Sequence, residues 1–225
     1  YVGLRYDAFF SKIPVNTITS NRDKVEEIIP ELPGKLIIKE FPTGRTTVNR
    51  IESHIQKAQD SGVKPDLIII DYVDLLTTKK RTVDRKGEID DIYTSTKGLA
   101  RELNLPIWSV SQVNRAGAKD DVVEGDKAAG SYDKIMITDV CISLSRKRKD
   151  KVNGTGRFHI MKNRYGMDGL TFGVKANTST GHFDVSNDLY VEEESPQQPS
   201  QNNFDSGIDK FDKSSLQKKF FELNS

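Results

Sequence analysis

Apolar positions along the chain follow two spacings in turn, and this alternation predicts a layered α/β fold. Helical spacing predicts helices over residues 1–13, 46–60 and 88–103. Short apolar runs predict strands over residues 36–41, 67–72, 106–112 and 139–145. Helices and strands that alternate in this way favour a mostly parallel sheet flanked by helices.

The run at residues 67–72 is predicted to be the central strand. It reads Leu-Ile-Ile-Ile-Asp-Tyr, and its apolar residues are continuous, as is typical of a strand covered by helices on both faces. Further along, residues 157–161 and 170–175 predict an antiparallel pair, and residues 182–185 predict an added edge strand. We therefore expect antiparallel strands at the C-terminal edge of the sheet.

Two segments contain few large apolar side chains that could be buried in a core. Residues 113–133 are rich in Gly, Ala, Asp and Lys and predict a long surface loop, a feature that is usually functional or mobile. Residues 190–213 carry a Glu run followed by Pro, Gln and Asn, which predicts a disordered linker. Residues 1–189 are therefore expected to form the single folded domain.

The last residues, 214–225, predict a short amphipathic helix. Ser214 and Gln217 have the spacing of a capping box, and the apolar side of the helix would carry Leu216, Phe220 and Phe221. A short helix on a flexible tether is typical of a docking peptide, so this tail is a candidate for binding a partner protein.

Composition limits the function classes without selecting one. The formal net charge of the 225 residues is +1, so any nucleic-acid partner must be met by local clusters of cations. The only cysteine, Cys141, lies in an apolar run and is expected to be buried, with no disulfide possible within the chain. No apolar run reaches the length of a membrane span and no secretion signal is visible, so we expect a cytoplasmic protein without a membrane partner.

Polar residues end two of the predicted strands. Asp71 stands at the carboxyl end of residues 67–72, where an aspartate can hold Mg²⁺ through water in the crevice at which α/β sheets bind ligands, the Walker B arrangement. The same acid could instead cap the next turn. Gln112 ends the following strand, where an amide can bind a terminal phosphate or simply be a polar strand end. Together the two are more specific than either alone.

Five motifs then occur in order along the chain. They read Ile-Asp-Tyr-Val-Asp-Leu-Leu, Leu-Ala-Arg-Glu-Leu-Asn-Leu-Pro-Ile, Ser-Gln-Val-Asn-Arg, Ala-Gly-Ser and Lys-Asn-Arg-Tyr-Gly. In sequence and spacing this set resembles the DnaB family of ring helicases, especially its tailed-phage members, over roughly residues 60–185. The resemblance implies a RecA-like motor domain that couples ATP hydrolysis to translocation on single-stranded DNA and to duplex unwinding.

The resemblance also implies roles for four residues. Asp71 would be the Walker B aspartate that holds the Mg²⁺ of ATP, and Gln112 the phosphate sensor linked to the DNA loop. Lys162 and Arg164 match the family's Lys-x-Arg, which reaches the neighbouring subunit's nucleotide in a homo-oligomeric, hexameric ring, with the arginine as a finger. Without the resemblance, the same tripeptide is a charged strand end before a turn.

DNA-binding residues are predicted in the long loop. By resemblance the loop lines the central channel, and its cations are Arg115, Lys119 and Lys127. Lys119 lies beside two aspartates and is more simply explained as a hydrated surface charge, whereas Lys127 is the better candidate. A second basic loop either lines the channel or is a hydrated turn; it contains Lys79, Lys80, Arg81, Arg85 and Lys86.

Primase or another replisome protein is the expected partner of the tail at residues 214–225.

The chain departs from the family in one respect. No Gly-x-x-x-x-Gly-Lys-[Ser/Thr] occurs in it, so we expect this polypeptide alone to bind ATP poorly and to be inactive, as a truncated polypeptide or one piece of a split gene would be. Asp74 stands where family members often carry an amide and is not predicted to be a catalytic base. Two alternatives remain open: a non-catalytic RecA-like binding module, and a RecA-like or KaiC-like ATPase.

Overall fold

The computed structural model of the chain describes residues 2–80, 84–112, 122 and 133–190, which form six helices and six strands. The helices are α1 (Val2–Ser11), α2 (Arg22–Ile28), α3 (Val48–Asp60), α4 (Arg85–Leu103), α5 (Asp133–Ile137) and α6 (Arg148–Asn153). The strands are β1 (Ile68–Ile70), β2 (Ile107–Ser109), β3 (Val140–Ser145), β4 (Thr155–Asn163), β5 (Thr171–Asn177) and β6 (His182–Leu189). The predicted α/β class is confirmed, with parallel strands in one sheet and antiparallel strands in another.

The parallel sheet consists of β1 and β2, with Ile70 opposite Ser109. One face of the sheet packs on the main core, to which α3, α4 and the turn after β1 contribute Val48, Ile51, Ile55, Val73, Leu76, Ile92 and Leu99. On the other face Ile69 and Trp108 are more than half exposed. The prediction that helices cover both faces of this strand is therefore wrong for the part of the chain described, because both packing helices lie on the same side.

Residues 36–41 were also predicted to be a strand, and this prediction is wrong. The segment has no strand partner in the described ranges, and three successive apolar side chains, Leu36, Ile37 and Ile38, are each about half exposed. Only Phe41 packs against the main core. An apolar run forms a strand only where a neighbouring strand satisfies its backbone groups, and the run itself cannot supply that neighbour.

The antiparallel sheet has the order β3-β4-β5-β6. It confirms the predicted strand pair and the added edge strand, which extends to Leu189. The charged turn before β4 contains α6, whose Asp150 accepts a hydrogen bond from the buried Arg157 at 2.6 Å. Burial works against ionisation of Asp150, but the Lys147 amide and Arg157 outweigh it and lower the pKa of the carboxyl.

Helices α1 and α2 form a small second core with Ala8, Ile18 and Val25. The ring of Phe9 stacks on His182 with centroids 4.7 Å apart, which attaches α1 to the tip of the antiparallel sheet. Among the helices that the structure describes, none has both the length and the apolar character needed to cross a bilayer. The linker at 190–213, apart from its first residue, and the helix predicted at 214–225 lie outside the described residues.

Replacing Ile92 with Ala is expected to destabilise the main core. Ile92 is 1% exposed, so its truncation leaves a cavity between α4 and its neighbours and should lower the free energy of unfolding by about 2–5 kcal/mol. Val152→Ala is the matched control, because Val152 is 81% exposed and its loss should cost under about 0.5 kcal/mol. Urea denaturation measures both; equal midpoints for the two variants would contradict this description of the core.

Candidate functional site

Asp71 directly follows β1 and begins the turn that leaves the parallel sheet. A cis peptide bond joins it to Tyr72, and a 3-10 turn follows over Val73–Leu75. The Asp71 carboxylate is exposed and has no hydrogen-bond or ion-pair partner among the residues that the structure describes. The turn after it also has no side-chain cap, so Asp71 does not act as the turn cap that was the alternative explanation. Its oxygens are free to bind a cation.

Ser109 holds this turn in place. Its hydroxyl lies at the end of β2, donates to the carbonyl of Ile70 at 2.9 Å and accepts from the backbone N–H of Val73 at 3.0 Å. One side chain thus joins the end of β1, the turn after Asp71 and the neighbouring strand. Sequence reasoning did not single out Ser109; the available signal was a small polar residue between two apolar ones in a predicted strand.

Gln112 lies at the same edge of the parallel sheet as Asp71. Because Ile70 pairs with Ser109 in a parallel register, the residues after both strands emerge on the same side. Gln112 is exposed, as Asp71 is. The chain leaves both strands at one carboxyl edge, the place where open α/β sheets bind ligands, with Asp71 directly after β1 and Gln112 three residues after β2, which ends at Ser109 rather than at Gln112 as predicted.

Asp74, three residues beyond Asp71, has a different environment. Its Oδ1 accepts a hydrogen bond from the ammonium group of Lys134 at 2.6 Å, and its side chain is 14% exposed. A carboxylate held in an ion pair with a buried lysine is poorly placed to accept a substrate proton. This agrees with the expectation that Asp74 is not a catalytic base.

Lys162 and Arg164 lie at the end of β4 and in the turn after it. Lys162 donates to the backbone carbonyls of Ile135 and Met136, both at 2.8 Å, at the C-terminal end of α5. Arg164 donates to the Met136 carbonyl at 3.2 Å, and its side chain is 47% exposed. Burial and the nearby charge of Arg164 lower the pKa of the Lys162 ammonium group. The two cations thus lie together, on a different sheet from Asp71 and Gln112.

Asp139 anchors Arg164. Its carboxylate forms an ion pair with Lys97 of α4 and lies 3.6 Å from a guanidinium nitrogen of Arg164, while its carbonyl accepts from the Arg164 N–H at 3.0 Å. The hydrogen bond from Lys97, against the opposing effect of burial, lowers the pKa of Asp139, and the charge of Arg164 lowers it further. Asp139 was not predicted as a site residue.

The predicted DNA-binding cations divide into two groups. Arg115, Lys119 and Lys127 lie outside the described residues, as does Arg81 of the second basic loop. Three other cations of that loop have acidic partners: Lys80 with Asp91, Arg85 with Glu88, and Lys86 with Asp133. Lys79 is exposed. Arg85 and Lys86 lie in the first turn of α4 rather than in a loop, and the ion pairs favour the simpler interpretation that these three cations are hydrated surface charges.

A magnesium ion and a nucleotide fit the residues at the sheet edge. Within the described ranges no cluster of three or more His, Cys, Asp or Glu residues could enclose a metal. Nucleotide-bound Mg²⁺ is usually held by one or two carboxylates together with water and phosphate oxygens, so the single exposed carboxylate of Asp71 is a suitable ligand. The exposed amide of Gln112 supplies hydrogen-bond donors at the same edge.

The sequence is similar to those of characterised proteins. The family described as DnaB-like helicase C terminal domain matches residues 11–183. A probable plasmid replicative DNA helicase of Chlamydia psittaci is 27% identical over 132 residues, which cover 56% of this chain and 28% of that protein. Replicative DNA helicase DnaB of Mycobacterium leprae (strain TN) is 32% identical over 108 residues, which cover 44% of this chain and 18% of that protein. The chain thus matches less than a third of the length of these curated relatives.

Two solved structures share the fold. One is a solved ATPase domain, which superposes with a TM-score of 0.66 at 22% identity, covering 80% of this chain and 68% of that chain. The other is a DnaB-like replicative helicase, solved in a study of its interactions with primase, which superposes with a TM-score of 0.67 at 23% identity, covering 80% of this chain and 46% of that chain. These similarities confirm the predicted RecA-like core.

Removing the hydroxyl of Ser109 is expected to loosen the turn that carries Asp71. Ser109→Ala leaves the Val73 N–H without its acceptor and should cost about 1 kcal/mol, which corresponds to about fivefold faster exchange of that amide hydrogen. The control is Ser53→Ala, which removes an exposed hydroxyl bonded to Asn49 within α3. Hydrogen exchange followed by NMR gives the rates, and an unchanged Val73 rate would show that Ser109 does not hold the turn.

Proposed function

Because the chain belongs to the DnaB-like helicase C terminal domain family, we propose that it is the motor part of a ring-shaped replicative DNA helicase. The intact protein couples ATP hydrolysis to translocation on single-stranded DNA and to duplex unwinding. The observation that carries the proposal is the position of Asp71 and Gln112, both exposed, at one carboxyl edge of the β1–β2 pair. A RecA-like motor requires a metal-binding acid and a phosphate-sensing amide at this edge.

Bound ATP with Mg²⁺ supplies the phosphoryl group that is transferred to water. In the proposal, the Asp71 carboxylate holds the magnesium ion and the Gln112 amide donates a hydrogen bond to the terminal phosphate. Ser109 keeps the turn of Asp71 fixed relative to the end of β2, three residues before Gln112. The two side chains then meet their ligand without rearrangement of the strands, which is what electrostatic preorganisation requires.

Arg164 and Lys162 are proposed to act on the nucleotide of a neighbouring subunit. Phosphoryl transfer spreads negative charge over the equatorial oxygens, and an always-charged, planar guanidinium stabilises that charge well. The side-chain contacts of Arg164 within its own chain, at 3.2 and 3.6 Å, are long, and nearly half of its side chain is exposed. Such contacts are easily exchanged for a phosphate across an interface. The resemblance implies a hexameric ring, in which residues from two neighbouring subunits would form each nucleotide site.

DNA is proposed to bind through the cations of residues 113–132, chiefly Lys127 and Arg115, with Lys119 the weakest candidate. Backbone and lysine contacts to phosphates suit a motor that must move along any sequence. The tail at 214–225 is proposed to dock on a replisome protein, and primase is the first candidate, since a structural relative was studied for its interactions with primase. We place this activity in the cytoplasm.

The purified chain alone is expected to show no Mg²⁺-dependent ATPase above background. The 225 residues contain no Gly-x-x-x-x-Gly-Lys-[Ser/Thr], so the backbone N–H groups and the lysine that cradle phosphates must come from another polypeptide segment. A phosphate-release assay with and without single-stranded DNA measures this, with Asp71→Ala as the control. Robust turnover by the chain, abolished in Asp71→Ala, would overturn the requirement for that segment.

The same absent motif supports a second candidate function, a non-catalytic RecA-like module that binds partners. The two candidates are separated by restoring the missing loop. If the intact protein with a phosphate-binding loop still fails to hydrolyse ATP on single-stranded DNA, then the binding module is the correct function.

Arg164 acting between subunits predicts complementation in mixed rings of the intact protein. Arg164→Ala alone should lower kcat by at least about a thousandfold, with nucleotide binding retained, and Arg164→Lys should not restore the rate. Rings mixed from Arg164→Ala and Asp71→Ala subunits should regain part of the activity, because an intact Arg164 then faces an intact Asp71 at some interfaces. The phosphate-release rate is the readout; mixed rings as inactive as either parent would place Arg164 in its own subunit's site.

A further inference from the structure

Lys134 is a buried cation in the first turn of α5. It is 4% exposed, although lysine is among the residues least often buried. Transfer of an ammonium group out of water is costly unless a carboxylate and further hydrogen-bond acceptors replace the lost hydration. Lys134 is also among the first described residues after the segment 113–132.

The partners of Lys134 come from three other parts of the domain. Its ammonium group donates to Asp74 Oδ1 at 2.6 Å and to the Ser111 hydroxyl at 3.2 Å, and it lies 5.5 Å from the centre of the Tyr93 ring. The Tyr93 hydroxyl in turn donates to Asp74 Oδ1 at 3.3 Å. Burial, together with the charge of Asp74, raises the pKa of Tyr93 well above its ordinary value, so its hydroxyl remains a donor.

This network lies between the two strand ends of the proposed nucleotide site. Asp74 belongs to the turn that begins with Asp71, and Ser111 directly precedes Gln112. Lys134 therefore bridges the chain entering the segment 113–132 to the chain leaving it, and ties both to the turn of Asp71. A displacement of α5 would move Asp74 and Ser111 through contacts of 2.6 and 3.2 Å.

We propose that the Asp74–Lys134 ion pair is a positioning element that couples events in the segment 113–132 to the Asp71–Gln112 edge. Stimulation of ATP hydrolysis by DNA then depends on this pair, although neither residue contacts nucleotide or DNA. The inference rests on the proposed function, because it assumes that the segment 113–132 binds DNA and the edge binds ATP. It adds the physical connection between the two.

Stability alone does not explain the pair well. A buried ion pair is often no more stabilising than apolar residues of similar volume, because desolvation offsets the attraction between the charges. A charged network does fix relative positions, since its donors and acceptors satisfy one another in only one arrangement. The Asp74–Lys134 pair joins residues 60 positions apart in the chain, which suits the fixing of position.

The test uses the intact protein, phosphate-binding loop included, and the ratio of its ATPase rate with a thymidine homopolymer to its rate without DNA. In the double variant Asp74→Asn with Lys134→Gln, both charges are replaced by amides that can still hydrogen-bond. The ratio should fall about tenfold, within the range of measured couplings between sites. Tyr93→Phe removes only the hydroxyl that lies 3.3 Å from Asp74 Oδ1 and leaves the ion pair in place, so the ratio should fall only about two- to threefold.

The exposed pair Arg22–Glu26 provides the matched control, since Arg22→Gln with Glu26→Gln also removes two paired charges, on α2 and outside the Asp74–Lys134 network. The control should keep the wild-type ratio. A double variant that folds and keeps the ratio would overturn the proposal, because the pair would then be merely structural. If the double variant does not fold, an unchanged ratio in Tyr93→Phe overturns it instead. Wild-type protein without any DNA-stimulated ATPase would refute the proposed function itself, a result separate from all of these.

Discussion

The parallel pairing of β1 with β2 is the constraint on which the candidate site depends. Each strand has only three residues, so few backbone hydrogen bonds hold the pair, and Ser109 adds two more at the end where the ligand groups emerge. A shift of one strand by one residue in this register would turn the side chains of that strand to the opposite face of the sheet. The position of Asp71 relative to Gln112 therefore depends on this short pairing and on the main core that packs against it.

The strand ends could be predicted from sequence, whereas their surroundings could not. A continuous apolar run followed by an acid, and a second run followed by an amide, locate Asp71 and Gln112 from local pattern alone. The failed strand at 36–41 has the same local pattern, but pairing depends on a neighbour that an apolar run does not specify. Ser109 and Lys134 were missed for a related reason, since the groups they bind in the turn after β1 lie 36 and 60 positions away in the chain.

Helix α5 connects the two groups of site residues. Its first turn carries Lys134, which binds Asp74 beside the parallel sheet, and its last carbonyls accept hydrogen bonds from Lys162 and Arg164 beside the antiparallel sheet. A helix of five residues has little stability of its own, so contacts at its two ends decide its position. The nucleotide edge of one subunit and the cations proposed to reach its neighbour are thus attached to the same small element.

Two aspartates three residues apart illustrate how environment assigns a role to each carboxylate. Asp71 is exposed and unpaired among the described residues, so its oxygens remain available to a metal ion. Asp74 is mostly buried, and its negative charge is compensated within the domain by the ion pair with Lys134. An unpaired Asp74 would place a second, uncompensated negative charge in the turn of the proposed metal ligand. Because Lys134 pairs with Asp74, Asp71 is the only unpaired carboxylate of this turn among the described residues. The ion pair that holds the turn in position therefore also leaves a single negative charge, that of Asp71, for a bound cation.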